Sequence, residues 1–548
     1  MTFSDAVKRQ AGLVMSQSHV SETASWSDCR ARLASLRPFA GRKEADQQEL
    51  FEAGKGYLGK AVRPAVDPKL LASPYRFVPL NDQVGTVKMP NRATPRPNGF
   101  SGSITVEWAF ETPFLIGQTL VEQERDRAAV SRIVQGSKLR PQLEKIAIPM
   151  AFEPGEFVVP GATFKGLIRS ILEIVTCSRL GEVNEKSKGK TLGVQKVIRR
   201  AHPAHVSPSA NDEEGAPDRT EALLGFLRSF KEDDKSDASS TLALKSRVSF
   251  GFATLVQRGS ARLGSLNEAV MMAPQPGFAP FYLAAQEDGH ALDWSDGYSS
   301  LAGRKRFFPR FPADRLNDAP GVISGAVRNS VPNNAPESSR CWFIFLEPTD
   351  PGEEMRFRST IRFHNVGPSE IGSVLWALTL GGPCRPEKPF RHMIGRGKPF
   401  GAGQARVVNI DLSGLTPNSD AGRALLTAAE PWERSGGGLE GWVDPGQFSL
   451  GPFLRAFDDS MTALIRPGRK WSRDIDIAAF LSLAAPAAGA KWADEGRACY
   501  TQRRGFAEIA DAVAITSGAG PVNPFTPGRL LSSGAIIAQR PYNAPDKI

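Results

Sequence analysis

The chain has 548 residues, of which 41% are hydrophobic and 23% charged, with 52 glycines and 42 prolines, so global disorder and a simple helical bundle are both excluded. The net charge of +10 points to an acidic partner, nucleic acid ahead of a membrane surface. No apolar run reaches the ~20 residues of a membrane span, no signal-peptide core opens the chain, and five scattered cysteines form neither a disulfide framework nor a Cys-x-x-Cys zinc pair, so a cytoplasmic protein without membrane partner, metal or cofactor is expected.

Residues 1–70 read as a polar, mostly helical extension. A proline-rich stretch, Pro90 to Gly99, resets the chain. Beyond it Ile104, Val106, Trp108 and Phe110 alternate with polar residues and predict a strand with one apolar face. The strand-like EFVVPG then runs into ATFKGLIRSILEIVTCSRL. Here Leu167, Ile168, Ile171, Leu172 and Val175 recur at helical spacing, with Thr163 as the expected N-cap. Residues 181–245 are polar and strongly charged and read as a long insertion, part of it mobile.

Ser246 to Val256 and Met355 to Val366 predict two more strands. GPSEIGSVLWALTLGG predicts a helix with Ser369 as cap and Ile371, Val374, Leu375 and Leu378 on one face. A glycine-rich loop follows, and ARVVNIDL returns to strand. The order β, α, β, β, α, β is that of the split βαβ unit. The expected architecture is therefore α+β: a ferredoxin-like, RRM-like core with long insertions over residues 71–410. A mainly helical region without motifs, 411–548, completes the chain.

Three segments carry chemistry. In Pro160-Gly161-Ala162-Thr163-Phe164-Lys165-Gly166-Leu167-Ile168-Arg169, a helix N-terminus suits a phosphate, Lys165 and Arg169 share a face, and Gly166 permits close approach. The loop Gly395-Arg396-Gly397-Lys398-Pro399-Phe400-Gly401-Ala402-Gly403 combines four glycines with cations and an aromatic ring. With Arg385, Lys388 and Arg391 just before it, this composition suits a single strand, Phe400 offering a stacking face. In Arg304-Lys305-Arg306-Phe307-Phe308-Pro309-Arg310, basic residues interleave with aromatics, which fits either RNA or a solvated loop over two buried rings.

Together these motifs resemble the CRISPR-associated RAMP (repeat-associated mysterious protein) superfamily. PGATFKGLIRS is similar to its Pro-Gly-Ser-Ser-Leu-Lys-Gly-x-x-Arg-Ser signature. RFHNVGPSEIGSVLWALTLGG resembles its strand–helix element, and GRGKPFGAGQARV its glycine-rich loop. PFLIG resembles the end of its first strand. SRVSFGFA resembles its Ser/Ala-Arg-hydrophobic-Phe-Gly-Asp-Ala strand, with Phe252 in place of the aspartate. SPYRFVPLND (Ser73 to Asp82) is similar to the start of a large single-module RAMP family. The matches span about 73–410. The resemblance implies an RNA-binding subunit that holds CRISPR RNA within a ribonucleoprotein effector complex in antiviral defence. Its partners would be that RNA, other CRISPR-associated subunits and, as a second candidate, target RNA.

Some relatives cleave RNA, so an endoribonuclease is an alternative, and an adaptor without RNA contact a third. Metal-free cleavage needs a general base, a general acid and a cation. His202, His205 and His392 are the histidine candidates, whereas His364 reads as a structural strand residue. Metal-dependent relatives use an aspartate in the loop after the first strand. Here Glu122, Glu124 and Asp126 occupy that loop at helical spacing, and none aligns with the family's aspartate.

Overall fold

The computed structural model describes the chain between residues 8 and 498. The segments 57–73, 120–125, 181–196, 207–215, 232–238, 271–282, 286–298, 332–338, 382–389, 430–450 and 465–470, some shorter gaps, and everything past 498 lie outside the described residues. In chain order, helices α1 (Trp26–Leu33) and α2 (Glu44–Lys55) come first. They enclose a small core of their own in which Trp26 stacks on Phe39 at 5.5 Å and tilts against Phe51. A capping box starts α1: the Ser25 hydroxyl accepts from Asp28 N, and the Asp28 carboxylate accepts from Ser25 N.

Strand β1 (Tyr75–Val78) precedes the long β2 (Phe100–Phe110), then β3 (Gly117–Thr119), α3 (Arg127–Gln135), β4 (Ile146–Pro149), β5 (Val158–Val159) and α4 (Gly161–Val175). The insertion contains α5 (Arg219–Leu224) and a hairpin of β6 (Phe226–Lys231) and β7 (Ser239–Leu244). Next come β8 (Val248–Leu255), β9 (Ala261–Val270), β10 (Leu283–Ala285), β11 (Ser299–Leu301), β12 (Arg304–Phe307) and α6 (Ala319–Arg328). They are followed by β13 (Arg340–Pro348), β14 (Met355–Val366), α7 (Pro368–Thr379), β15 (His392–Met393), β16 (Gln404–Asp411) and β17 (Leu415–Pro417). Helices α8 (Asp420–Ala429), α9 (Gly451–Leu464), α10 (Ile475–Ala484) and α11 (Pro486–Asp494) end the described chain.

The fold is α+β. Its largest sheet runs β15-β16-β2-β14-β8-β5, antiparallel throughout, with β17 also on β2. Within it the strands β2, β8, β14 and β16 lie in the order β16-β2-β14-β8, with α4 following β2 and α7 following β14. A second sheet, β3-β4-β13-β9, continues from the end of β2, and β1 pairs with β12.

Period two places the core. On β2, Ile104, Val106, Trp108 and Phe110 are buried as expected. On β14, Met355, Phe357, Ile361 and Phe363 point inward, while Arg356, Arg358, Arg362 and His364 are exposed. Leu167, Ile168, Ile171, Leu172 and Val175 of α4 and Ile371, Val374, Leu375 and Leu378 of α7 fill the space over this face, Phe164 stacking on Trp108 at 4.8 Å. Each such buried aliphatic side chain contributes roughly 1.5–3 kcal/mol. The C-terminal helices belong to the same core. Helix α9 packs on α7, α10 on α4 and β1, and Trp471 donates its indole N–H to Val175 O at 3.0 Å.

Both expected caps are corrected. Helix α4 begins at Gly161, with Pro160 in extended conformation as its cap, and Thr163 lies inside the first turn. Helix α7 is capped at Gly367, whose N–H is accepted by Glu370 Oε2 at 2.7 Å, so Ser369 is helical. The 181–245 segment is not featureless: Ala222, Leu223 and Leu224 of α5 are buried, and Leu223 and Leu224 join the main core. The expectation of mobility falls mainly on 181–196, 207–215 and 232–238, outside the described residues.

Candidate nucleic-acid interface

The three basic segments found in the sequence meet at one place. Strand β12 lies along α4: Arg306 donates to Ser170 Oγ at 2.7 Å, and Arg304 to Glu173 Oε2 at 3.0 Å. Arg169 holds the other oxygen of Glu173 at 3.1 Å. The turn of the glycine-rich loop comes in from the other side, with Lys398 Nζ 5.7 Å from the Phe307 ring centre. Lys305 lies over Tyr75 at 3.7 Å and near Phe307 at 5.5 Å. Lys165 stands one turn ahead of Arg169 on the same helix face, and among the described residues its ammonium has no partner.

The group is strongly unbalanced. Of Lys165, Arg169, Arg304, Lys305, Arg306 and Lys398, only Arg169 and Arg304 have a carboxylate partner among the described residues, the two oxygens of Glu173, while Lys398 donates to Gly395 O at 2.9 Å. Arg306 and Lys398 repel each other, as do Arg169 and Lys165, in partly desolvated surroundings. Burial holds Arg306 down at about 10, against the opposing pull of Glu173. Burial, and then Arg306, lowers Lys398; burial lowers Lys305; burial, and then Arg169, lowers Lys165. An anion placed here would relieve the repulsion and restore the lost solvation.

Several members are less available than the sequence implied. Arg304 is fastened to Glu173 and to the carbonyls of Ser178 and Arg179 at 2.7 and 2.8 Å, so its role is structural. Arg391 is buried against Glu111, its Nε 2.6 and 2.7 Å from the two carboxylate oxygens, and does not face solvent. Phe400 is 5% exposed and packs with Leu115, Phe311, Phe343 and Phe345, so its ring is core and not a stacking face. Gly395, Gly397, Gly401 and Gly403 all adopt positive φ, as the composition suggested, but the close contacts this permits are internal. A Cβ on Gly403 would lie 1.9 Å from Ile394 O, and one on Gly397 2.9 Å from the Phe345 ring. Arg396 is exposed, and among the described residues its side chain is unpaired. Arg385 and Lys388 lie outside the described residues.

The start of α4 also differs from the expected phosphate cradle. A Cβ on Gly161 would stand 2.0 Å from Phe250 O, so the first residue of the helix is seated against β8. What remains open is the side bearing Ala162, Lys165 and Gly166, and around Gly166 nothing lies within 4 Å of a built Cβ.

The catalytic candidates do not assemble. His392 is buried, its Nε2 2.9 Å from Leu378 O and its ring edge-on to Trp108, and burial lowers its pKa to about 4. It is a neutral core histidine. His205 is buried with Nε2 2.7 Å from Asn81 O, while His202 accepts from Leu301 N at 3.2 Å. Asp126 is 8% exposed at the start of α3; Glu122 and Glu124 lie outside the described residues. Among the described residues no three His, Cys, Asp or Glu side chains form a metal-binding group, and no helix is long and apolar enough to cross a membrane.

Two features escaped the sequence reading. His364, expected to be structural, is exposed on β14. The motif residues Arg247, Asn365 and Glu370, read only as family marks, form one network in which Arg247 and Asn365 are buried and Glu370 is partly exposed. Arg247 is bonded to both oxygens of Glu370 and donates to Ala222 O and Asn365 O; Arg96 adds a bond to Glu370 Oε2 at 3.0 Å. Asn365, at φ +50°, accepts from Arg96 N at 2.8 Å. The paired Arg, Asn and Glu of distant motifs was the available signal.

No protein-family model matches the sequence, and no curated protein is significantly similar to it. Among solved structures the chain is similar to the Csc2 protein of Thermofilum pendens at 14% identity, with a TM-score of 0.23, over 74% of this chain and 92% of that one. A superposition of that quality does not establish a shared fold.

Proposed function

We propose that the chain is an RNA-binding subunit of a CRISPR-associated ribonucleoprotein and that it holds guide RNA against the cationic face of α4, β12 and the 398–400 turn. The observation that carries this reading is the convergence of three basic segments, far apart in sequence, on strand β12: α4 meets it through Glu173 and Ser170, and the glycine-rich loop brings Lys398 beside Phe307. Phosphate backbones are bound by several spread cations and need no base-specific pocket, which is what this surface offers. The strand order β16-β2-β14-β8, with helices after the first and third strands in sequence, supports reading the core as ferredoxin-like and agrees with the RAMP resemblance. A binding role fits better than an endoribonuclease, because His392 is neutral and enclosed and the other two histidine candidates, His202 and His205, are engaged by backbone groups. An adaptor without RNA contact would gain nothing from holding Lys165 half-buried with no carboxylate partner among the described residues.

The chain purified from a host carrying a CRISPR array should bring down repeat-derived RNA enriched over other transcripts. Recovery of no RNA, or of RNA in proportion to its cellular abundance, would contradict the proposal.

A further inference from the structure

The outer face of the large sheet, opposite α4 and α7, plays no part in the site described above. It carries a ladder of arginines on its central strand. Arg356, Arg358 and Arg362 alternate with buried residues along β14 and stand about 6.8 Å apart per step of two. Arg356 and Arg358 are more than half exposed, although both reach Glu107, at 3.6 and 3.1 Å. Glu107 is 12% exposed and lies at the floor of the face, so these guanidiniums project beyond the acid that steadies them. Arg362 and His364 are exposed, and among the described residues their side chains have no partner.

Beside this ladder the sheet presents an aromatic ring. Between the pairs Ser359–Ala253 and Ile361–Phe250, two residues of β8, Gly251 and Phe252, stand opposite Thr360 alone. This is a β-bulge, a device that re-aims a side chain, and Phe252 is 46% exposed. It sits 5.2 Å from Phe152, itself 43% exposed. The register puts Phe252 between two rows of the ladder: Arg358 is level with Thr254, and Arg362 with Ser249, both exposed.

We infer that this face is a second contact surface for single-stranded RNA, in which Phe252 stacks on a base while Arg358 and Arg362 hold the flanking phosphates. Charge complementarity selects the occupant. The acids Glu107 and Glu354 are already paired with arginines, leaving the outer layer cationic, and exposed rings between cations suit a strand whose bases have been freed. A second copy of a chain of net charge +10 would be repelled. The inference shares its ligand with the proposed function but not its site.

Anisotropy of labelled oligouridine with the full chain tests it. Phe252→Ala should weaken binding about tenfold and Phe252→Trp should not, whereas Arg358→Ala with Arg362→Ala should flatten the log K against log salt slope by about 1.4. The same losses should appear when Lys305→Ala and Lys398→Ala are also present. Native affinity and slope in the Phe252 and arginine variants would overturn the inference, since melting temperature would verify that these exposed positions leave the fold intact. Silence of the lysine changes alone would sink the proposed function and leave this surface as the binding site. Failure of the native chain to bind would sink both.

Discussion

At the scale of single residues, the glycine-rich loop separates composition from placement. Its four glycines were legible as positive-φ positions, and they have that conformation. The orientation of Phe400 was not legible, because a ring beside cations reads alike whether it faces a base or a core. Here Phe311, Phe343 and Phe345 decide it. Phe400→Ala should therefore cost about 3–5 kcal/mol of stability, while the folded protein keeps its RNA affinity within about twofold. A melt and a binding curve on the same sample check this; intact stability with lost affinity would reverse the assignment. His392 makes a pH prediction. Its folded pKa of about 4, set first by burial and then by the nearby Arg306 and Arg391, lies below the ordinary value near 6.5. Between these values the unfolded chain binds the additional proton, so stability is present above pH 6.5 and is lost as pH falls toward 4, by at most about 1.4 kcal/mol per unit. His392→Gln should flatten that part of a melting-temperature profile, and an unchanged profile would show that other groups control it.

Among the elements, α4 shows how far periodicity reaches. Apolar spacing located the helix and its inward residues, and it left Lys165 and Arg169 on an outer face. The i,i+4 spacing already offered Glu173 to Arg169, but it could not reveal the bond to Gly225 O, which the fold supplies, or that Lys165 is left without a partner among the described residues. The two helix faces should answer differently. Lys165→Ala should lower RNA affinity about tenfold with little change in melting temperature, since one such contact is worth about 1–2 kcal/mol. Ile171→Ala should cost about 2–5 kcal/mol of stability. A silent Lys165 variant would remove α4 from the interface. The caps were missed for a local reason: polar residues at Thr163 and Ser369 resemble N-caps, but Pro160 and Gly367 already have the extended backbone a cap requires. The ion pair joining Arg247, just ahead of β8, to Glu370 of α7 has its own signature. With Arg247 at 1% exposure, Glu370→Ala leaves an uncompensated buried charge and should destabilise by about 3–5 kcal/mol, read as a fall in denaturation midpoint.

For the whole molecule, the order of the core strands β2, β8, β14 and β16 and helices α4 and α7 was legible, because each has a clean period of two or near 3.6, whereas the second sheet β3-β4-β13-β9 and the β1–β12 pair were not read from the sequence. The packing of the C-terminal helices was harder to foresee. Helix α10, Ile475–Ala484, is apolar on nearly every side and so carries no face to read; that uniformity is itself the sign of a buried helix, and it lies on α4 with Phe480 near Arg306. The meeting of residues 165–173, 304–306 and 398 depends on β1 pairing with β12 and on the course of a long insertion, neither of which has a local signal. That meeting is the central claim, and its most direct test is the salt dependence of single-stranded RNA binding by the native chain and by a variant combining Lys165→Ala, Lys305→Ala and Lys398→Ala. The account predicts a slope shallower by about 2 in the variant, at roughly 0.7 for each lost phosphate contact, with the melting temperature little changed. Equal slopes for the two proteins would contradict it.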